Sequence, residues 1–315
     1  MKVTVLDDYQ RVALGFGPWE RLGDDVTVDT LDDHVLGDDL VEALAGSDVV
    51  VAMRERTPFG RELLQRLPDL RLLVTTGAEN AAIDVAAARE HGVTVCGTRS
   101  RAEAPAELTW ALVLAVTRRL CAEDAAVRAG GWQHTIGPEL SGRTLGVLGL
   151  GRLGSRVAGY GRAFGMRVLG WSEHLDPGRA RELGVEPSSR DDLLSRADIA
   201  TLHLRLSERT RGLIGSRELE LLGSESYLVN TSRGPIVDEA ALLAALHSGG
   251  IAGAGLDVYD VEPLPDDHPL RRAPRTVLSP HLGYVAADTY RLFYTDAVED
   301  IEAWRAGSPV RILGS

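Results

Sequence analysis

The sequence predicts an α/β protein built from two doubly wound, parallel-sheet domains, and three observations support this class. Short apolar runs alternate with helical segments up to about residue 98 and again from Leu145 to about Leu282, which is typical of parallel sheets covered by helices. A length of 315 residues is enough for two domains with separate cores. A glycine-rich turn follows the first strand of the second half, and no such turn follows the first strand of the chain.

Composition and charge limit the classes of partner. The hydrophobic fraction of 44% and charged fraction of 25% are ordinary for a globular protein. The net charge of −12 argues against nucleic acid or an anionic membrane as partner. The first residues lack the pattern of an export signal, so we expect a cytoplasmic protein in which Cys96 and Cys121 are reduced, buried thiols. Their spacing does not fit a metal site, and no metal is expected.

The first half should form a five-stranded parallel sheet. In place of glycines, Asp7, Asp8 and Tyr9 follow its first strand, so this half is not expected to hold a dinucleotide. Helices are predicted at about 38–46, 60–67 and 83–91. The predicted strands are Val3–Leu6, Val26–Thr30, Val49–Met53, Leu72–Thr75 and Val93–Cys96.

Two loops of the first half follow strands, where ligands of open α/β sheets bind. Arg54 and Arg56 lie in one loop and can hold an anionic group. The other loop carries Thr76, Gly77 and Ala78, whose backbone N–H groups can serve as donors. The alternative for either arginine is a solvated salt bridge.

An amphipathic helix over Ala104–Arg119 connects the two halves, and a second helix should end near Gly130. Trp132 and Ile136 then lie in a loop. Large apolar residues outside a regular element suggest burial against a second subunit. An intramolecular core is the alternative, and the sequence does not separate the two.

The second half opens with the spacing G-x-G-x-x-G, formed by Gly149, Gly151 and Gly154 between an apolar strand and a helix. These glycines permit a tight turn, the approach of a pyrophosphate, and close packing of helix on strand. The helix N-terminus favours the phosphate charge. The predicted helices are 153–163, 190–196, 216–222, 238–247 and Ala287–Trp304. The predicted strands are Leu145–Leu148, Arg167–Gly170, Ile199–Leu204, Tyr227–Asn230, Gly253–Asp257 and Thr276–Ser279.

Three polar residues come shortly after strands of the second half: Arg233, Glu262 and His281. Because the carboxyl ends of parallel strands share one edge, we expect them to converge beside the glycine turn. Arg233 can bind a carboxylate and polarise the adjacent carbonyl. His281 can exchange a proton with the carbonyl oxygen, and Glu262 can orient the imidazole and favour its charged form. Singly these residues read as a surface charge, a loop carboxylate and a structural histidine; together they fit hydride transfer to a 2-oxo acid.

Five segments resemble the D-isomer-specific 2-hydroxyacid dehydrogenase family, which includes phosphoglycerate dehydrogenase and glyoxylate/hydroxypyruvate reductases. The segments are TTGAENAAID at 75–84, GVLGLGRLG at 146–154, LVNTSRGPIVDEAAL at 228–242, GAGLDVYDVEP at 253–263 and SPHLGY at 279–284. They span nearly the whole chain. The resemblance implies two Rossmann-like domains with the active site in the cleft between them. A discontinuous, flavodoxin-like substrate-binding domain would take residues 1–99 plus 287–315, and the dinucleotide-binding domain residues 100–286.

The resemblance also implies the roles of individual residues. Arg233, Glu262 and His281 match the catalytic residues. Arg152 and Leu153 match backbone donors to the pyrophosphate, and Asp257 matches the residue that holds the carboxamide. The substrate-binding set is Arg54, Thr76, Gly77, Ala78, Arg233 and His281. The cofactor-binding set is Gly149, Gly151, Arg152, Leu153, Gly154, Ser172, Glu173, Leu204, Thr231, Ser232, Arg233, Asp257, His281 and Gly283. A homodimer joined through the cofactor domain is expected.

One position departs from the family pattern. The acidic residue that holds the ribose hydroxyls in NAD enzymes is replaced by Ser172, and Glu173 follows. Serine does not repel a 2′-phosphate, but no arginine cluster follows in the sequence. The sequence therefore favours NAD and allows NADP.

The expected function is interconversion of a small anionic 2-oxo acid and a D-2-hydroxy acid. Two alternatives stay open: oxidation of a phosphonate or related phosphorus acid, for which Arg54 and Arg56 would suit a doubly charged group, and a non-catalytic NAD(H)-sensing protein. The sequence does not identify the acid or the physiological direction.

Overall fold

The computed structural model describes residues 1–314 and divides the chain into two compact units. Unit 1 comprises Met1–Arg101 and the segment that begins at Ala286, and unit 2 comprises Ala102–Val285. The strands in chain order are β1 Lys2–Val5, β2 Thr27–Thr30, β3 Val49–Ala52, β4 Leu72–Thr75, β5 Thr94–Gly97, β6 Thr144–Leu148, β7 Arg167–Trp171, β8 Glu186–Pro187, β9 Ile199–Leu202, β10 Tyr227–Asn230, β11 Gly253–Leu256 and β12 Thr276–Leu278.

The helices pack around these strands. They are α1 Ala13–Phe16, α2 Gly37–Ala43, α3 Arg61–Gln65, α4 Val85–Glu90, α5 Glu103–Thr117, α6 Leu120–Arg128, α7 Arg152–Ala163, α8 Pro177–Glu182, α9 Arg190–Arg196, α10 Ser216–Leu222, α11 Glu239–Ser248 and α12 Ala287–Arg305. Short 3-10 helices lie at Trp19–Leu22, Gly234–Ile236 and Pro269–Arg272.

Unit 1 is a five-stranded parallel sheet in the order β2-β1-β3-β4-β5. Its central strands β3 and β4 are runs of buried, mostly apolar residues, as expected when helices cover both faces. Leu73, Val50 and Phe59 belong to one apolar cluster on this sheet. The predicted parallel α/β sheet is confirmed for this unit.

The C-terminal helix α12 belongs to unit 1. Its Phe293, Tyr294 and Ile301 are almost completely buried. Its Asp296 is also buried, and it accepts hydrogen bonds from the backbone N–H of Arg99 at 2.8 Å and from the Arg99 guanidinium. Burial alone would raise the pKa of Asp296, but the bonds from Arg99 outweigh burial and hold the pKa below its ordinary value.

Unit 2 is a seven-stranded parallel sheet in the order β12-β11-β10-β9-β6-β7-β8. The strand β6 lies between β7 and β9, so the two loops that follow these neighbours flank the turn after β6. This order is that of a doubly wound dinucleotide fold. The fold class is confirmed. The sequence predicted six strands here; the additional strand β8 has two residues and ends in proline, too short to carry a periodic signal.

Cys96 is buried as expected, but Cys121 is exposed, because α6 has no buried residue. Trp132 and Ile136 are 73% and 98% exposed, so the intramolecular-core alternative is wrong for these side chains.

In residues 1–314 no helix is both long and apolar enough to cross a membrane. The same residues hold no cluster of three or more His, Cys, Asp or Glu suited to a metal.

Candidate active site

The turn after β6 has the geometry that its glycines predict. Gly149 has φ +99°, a conformation that side chains other than that of glycine rarely adopt. A Cβ added at Gly154 would lie 1.9 Å from the carbonyl oxygen of Gly149, so α7 packs on the turn only without a side chain there. A Cβ added at Gly151 would meet no described atom within 4 Å. Open space therefore faces the N-terminus of a 12-residue helix, and this arrangement fits a dinucleotide pyrophosphate.

The predicted cofactor-binding residues beside this turn form a hydrogen bond to it, begin the helix after it, or pack on the adjacent apolar core. The hydroxyl of Ser172, directly after β7, accepts a hydrogen bond from the backbone N–H of Leu150 at 2.8 Å. Arg152 and Leu153 form the first turn of α7. Leu204 packs partly buried on the apolar core beyond β9. Ser172 thus stabilises the glycine turn while leaving no negative charge at this position.

Glu173 forms an ion pair that the sequence did not indicate. Its carboxylate lies 3.6 Å from the guanidinium of Arg209, which belongs to the loop after β9. The two residues are 36 positions apart, and the strand order brings them to the same edge of the sheet.

The segment after β10 is organised by Asn230, a residue that sequence reasoning missed. Its side-chain amide donates to the carbonyl of Arg233 at 2.9 Å, and its oxygen accepts from the N–H of Ser232 at 3.0 Å. Ser232 in turn donates its hydroxyl to the carbonyl of Leu202 at 2.6 Å, and the hydroxyls of Thr231 and Thr109 are 2.7 Å apart. These bonds fix the backbone from which Arg233 projects.

His281 and Glu262 form a close pair. The imidazole Nδ1 lies 2.6 Å from Glu262 Oε2, and Glu262 Oε1 accepts from the N–H of Tyr259 at 2.9 Å. Burial alone would raise the pKa of Glu262. The hydrogen bond and charge of His281, the Tyr259 N–H and the charge of Arg233 together outweigh burial and hold this pKa below its ordinary value. The three predicted catalytic side chains therefore share one electrostatic environment.

The loop that carries His281 is anchored on the buried Asp257. One carboxylate oxygen accepts from Ser279 at 2.6 Å and from the N–H of Leu282 at 2.7 Å, and the other accepts from the N–H of Gly283 at 2.9 Å. Burial raises the pKa of Asp257 despite these bonds. His281 itself has φ +52°, an uncommon conformation that this anchoring sustains.

Two loops approach each other closely at Gly234. A Cβ there would lie 2.1 Å from the carbonyl carbon of Tyr259. The backbone after β10 and the backbone after β11 are thus in contact, which places Arg233 near the carboxylate that supports His281.

Unit 1 contains four of the six predicted substrate-binding residues, Arg54, Thr76, Gly77 and Ala78, after the ends of β3 and β4. The N–H of Arg54 donates to the Thr76 hydroxyl at 2.9 Å, and its guanidinium donates to the Thr76 carbonyl at 3.3 Å. The N–H of Gly77 donates to the Thr98 hydroxyl at 2.7 Å. Gly77 would have to leave Thr98 before its N–H could bind a substrate. Ala78 follows in the same loop.

Arg56 is directed toward the loop after β1. Its guanidinium donates to the carbonyl of Asp7 at 2.9 Å and lies 4.5 Å from the centre of the Tyr9 ring. The guanidinium groups of Arg54 and Arg56 therefore donate to different carbonyls of unit 1, those of Thr76 and Asp7.

Comparison with known proteins places this geometry in a family. Residues 110–283 match the family model described as D-isomer specific 2-hydroxyacid dehydrogenase, NAD binding domain. A glyoxylate reductase of Aeropyrum pernix is 42% identical over 256 residues, covering 78% of this chain and 76% of the relative. A D-3-phosphoglycerate dehydrogenase of Mycobacterium leprae is 38% identical over 291 residues, covering 91% of this chain but 54% of the relative, so this chain spans about half of that protein.

A solved structure gives the same result. The crystal structure of phosphoglycerate oxidoreductase from Vibrio cholerae O395 superposes with a TM-score of 0.92 at 36% identity, covering 98% of this chain and 99% of that chain. The chain belongs to the D-isomer-specific 2-hydroxyacid dehydrogenase family. It is an oxidoreductase with an NAD-binding, Rossmann-like domain, and NAD(H) is its cofactor.

Proposed function

We propose that the enzyme interconverts a small 2-oxo acid and the corresponding D-2-hydroxy acid, with Arg233, Glu262 and His281 as catalytic residues. The observation that carries this proposal is the 2.6 Å contact between His281 and Glu262, in the same environment as the Arg233 charge. A carboxylate-backed imidazole beside a guanidinium matches the needs of a reaction that moves one proton at the oxygen of a carboxylate-bearing carbonyl.

Each residue has a distinct part in the proposed reaction. When bound, NADH supplies the hydride that the carbonyl carbon receives. Arg233 binds the substrate carboxylate and polarises the carbonyl. Because Nδ1 of His281 faces Glu262, Nε2 is the nitrogen that gives a proton to the carbonyl oxygen during reduction and takes it back during oxidation. Glu262 orients the ring through its contact with Nδ1.

The residues around these three have supporting roles in the proposal. The turn at Gly149, Gly151 and Gly154, with Arg152 and Leu153, binds the pyrophosphate. The remaining cofactor positions are Ser172, Glu173, Leu204, Thr231, Ser232, Asp257 and Gly283, and Asp257 holds the carboxamide as well as the His281 loop. The substrate-binding roles of Arg54, Thr76, Gly77 and Ala78 stay predictions from the resemblance.

The substrate class is proposed from the relatives and from the charge pattern. One relative is named for glyoxylate reduction and another for D-3-phosphoglycerate oxidation. Because the Arg56 guanidinium is engaged by the Asp7 carbonyl, we favour a 2-oxo acid with a single carboxylate, such as glyoxylate or hydroxypyruvate, over a doubly charged phosphorus acid. Oxidation of NADH with glyoxylate, hydroxypyruvate, pyruvate, phenylpyruvate, 2-oxoglutarate and phosphonopyruvate tests this. Turnover with phosphonopyruvate alone would reject the preference, and binding of NADH without turnover of any acid would favour a sensor.

The catalytic assignment is tested by His281→Ala. Loss of the general acid should lower kcat by about 10²–10⁴-fold, while the Kd for NADH should stay within a few-fold of the wild-type value. His247→Ala, at an exposed site on α11, is the control and should retain activity. Equal losses of turnover and NADH affinity in His281→Ala would mean that His281 supports the fold instead.

We also propose a homodimer that covers the α6 surface, defined here as α6 with Trp132 and Ile136. Leu120 and Val127 on α6 are more than half exposed, as are Trp132 and Ile136. A surface depression on α6 and the segment after it is lined by Ala122, Ala126, Ala129 and Gly131 together with the polar residues Glu123, His134 and Thr135. Several large apolar side chains on one surface are typical of a subunit interface.

A further inference from the structure

The segments that follow β7 and β9 place opposite charges beside the glycine turn. Glu173 follows β7, Arg209 belongs to the loop after β9, and β6 lies between these strands. The ion pair at 3.6 Å therefore spans the edge of the sheet at the strand whose turn is the proposed pyrophosphate site. In a doubly wound fold, the end of the strand next to that turn receives the adenosine ribose.

The loop that presents Arg209 is internally fixed. The Thr210 hydroxyl donates to the carbonyl of Arg205 at 2.7 Å and accepts from the N–H of Ser207 at 2.8 Å. The backbone N–H of Arg211 also donates to the carbonyl of Ser207 at 3.0 Å. Arg209 lies within this closed turn, so its Cα is held near Glu173, while its side chain is 70% exposed.

The charges at the proposed ribose site beside the glycine turn differ from those of a site that binds only NAD. Ser172 is neutral, and its hydroxyl is engaged by the N–H of Leu150. Glu173 can accept hydrogen bonds from ribose hydroxyls, but it would repel a 2′-phosphate. Arg209 brings a guanidinium to the same place, and guanidinium binds phosphate in bidentate fashion.

We infer that Arg209 allows this enzyme to bind NADPH as well as NADH, by taking the 2′-phosphate in place of Glu173. With NADH, Glu173 accepts from the ribose hydroxyls and Arg209 remains paired to it. With NADPH, Arg209 leaves Glu173 for the phosphate. Breaking the pair costs little free energy, because the side chains of Arg209 and Glu173 are 70% and 54% exposed and exposed ion pairs contribute little stability.

This inference rests on the proposed cofactor site but not on the proposed catalytic residues, because it is tested by binding without substrate. The Kd values of NADH and NADPH are measured by calorimetry for the wild-type protein, Arg209→Gln and Glu173→Gln. Arg209→Gln should weaken NADPH binding about tenfold, the effect of one charged hydrogen bond, and change NADH binding less than about threefold. Glu173→Gln should strengthen NADPH binding and weaken NADH binding.

The matched control is Arg179→Gln on α8. Arg179 is 65% exposed and pairs with Glu182 at 3.0 Å, so it has the same charge and a similar setting but lies outside the proposed site. It should leave the ratio of the two Kd values unchanged. Raising the salt concentration should weaken NADPH binding more than NADH binding, and Arg209→Gln should remove most of that difference.

Three results would overturn the inference. The first is an equal change of both affinities in Arg209→Gln, and the second is an unchanged NADPH affinity in that variant. The third is wild-type protein that binds NADH but not NADPH at millimolar concentration. Failure of the wild-type protein to bind either dinucleotide would instead reject the proposed cofactor site itself.

Discussion

At the scale of single residues, the side chain of His203, directly after β9, lies in an unusual environment. Both ring nitrogens are buried, and among the described residues neither has a hydrogen-bond partner. Burial lowers the pKa of His203 to about 3, because the charged form would lose its hydration without a compensating contact. The imidazole is therefore neutral in the folded state at ordinary pH.

This neutrality makes the stability of unit 2 depend on pH. Below about pH 6.5 the unfolded chain binds a proton at His203 and the folded chain does not, so acid favours unfolding by up to about 1.4 kcal/mol per pH unit from this group. Between pH 7.5 and pH 5 the wild-type free energy of unfolding should fall about 2 kcal/mol more than that of His203→Asn or His203→Leu. Urea unfolding at several pH values measures this. Parallel pH profiles for wild type and both variants would contradict it.

At the scale of elements, the proposed active site depends on two loops meeting at one glycine. The segment after β10 carries Arg233, and the segment after β11 carries Tyr259, whose N–H supports Glu262. The contact at Gly234 keeps the two segments together. Neither segment alone would bring the Arg233 guanidinium near the Glu262 carboxylate.

Gly234→Ala should therefore impair catalysis more than binding. The new methyl group would overlap the Tyr259 carbonyl, and the displaced loop would shift Glu262 and His281 relative to Arg233. A shift of about 1 Å can cost about 10²-fold in rate, so kcat should fall about that much while the Kd for NADH changes little. Gly159→Ala is the control, because a Cβ there meets no described atom within 4 Å and α7 gains a better helix former. Full activity of Gly234→Ala would show that the contact does not position the site.

At the scale of the whole molecule, the proposed homodimer gives a clear expectation. Trp132→Asp combined with Ile136→Asp should convert the protein to a monomer, because two charges from each subunit would have to be buried in the interface. Sedimentation velocity measures the change. Leu36→Asp, at an exposed apolar position of unit 1, is the control and should leave the dimer intact. A double variant that sediments as the wild type does would reject the α6 surface as the interface.

Much of this molecule could be predicted from its sequence because the signals were local. Apolar runs marked the strands from β1 to β12 except β8, and the glycine spacing marked the turn after β6. The pairing of Glu173 with Arg209 could not be predicted, because only the strand order joins them. The role of Asn230 could not be predicted either. Its side chain holds the Arg233 segment by two hydrogen bonds, and such bonds produce no periodic pattern in the sequence.

The membership of α12 in unit 1 has a consequence for synthesis on the ribosome. The sheet of unit 1 is translated before unit 2, yet the helix that buries Phe293 and Tyr294 against that sheet's unit is translated after unit 2. Unit 2 is one uninterrupted segment and is complete before α12 emerges. The apolar surface of unit 1 that α12 covers therefore stays exposed while the nearly two hundred residues of unit 2 are synthesised. A chaperone that recognises nascent apolar surface would find its target there.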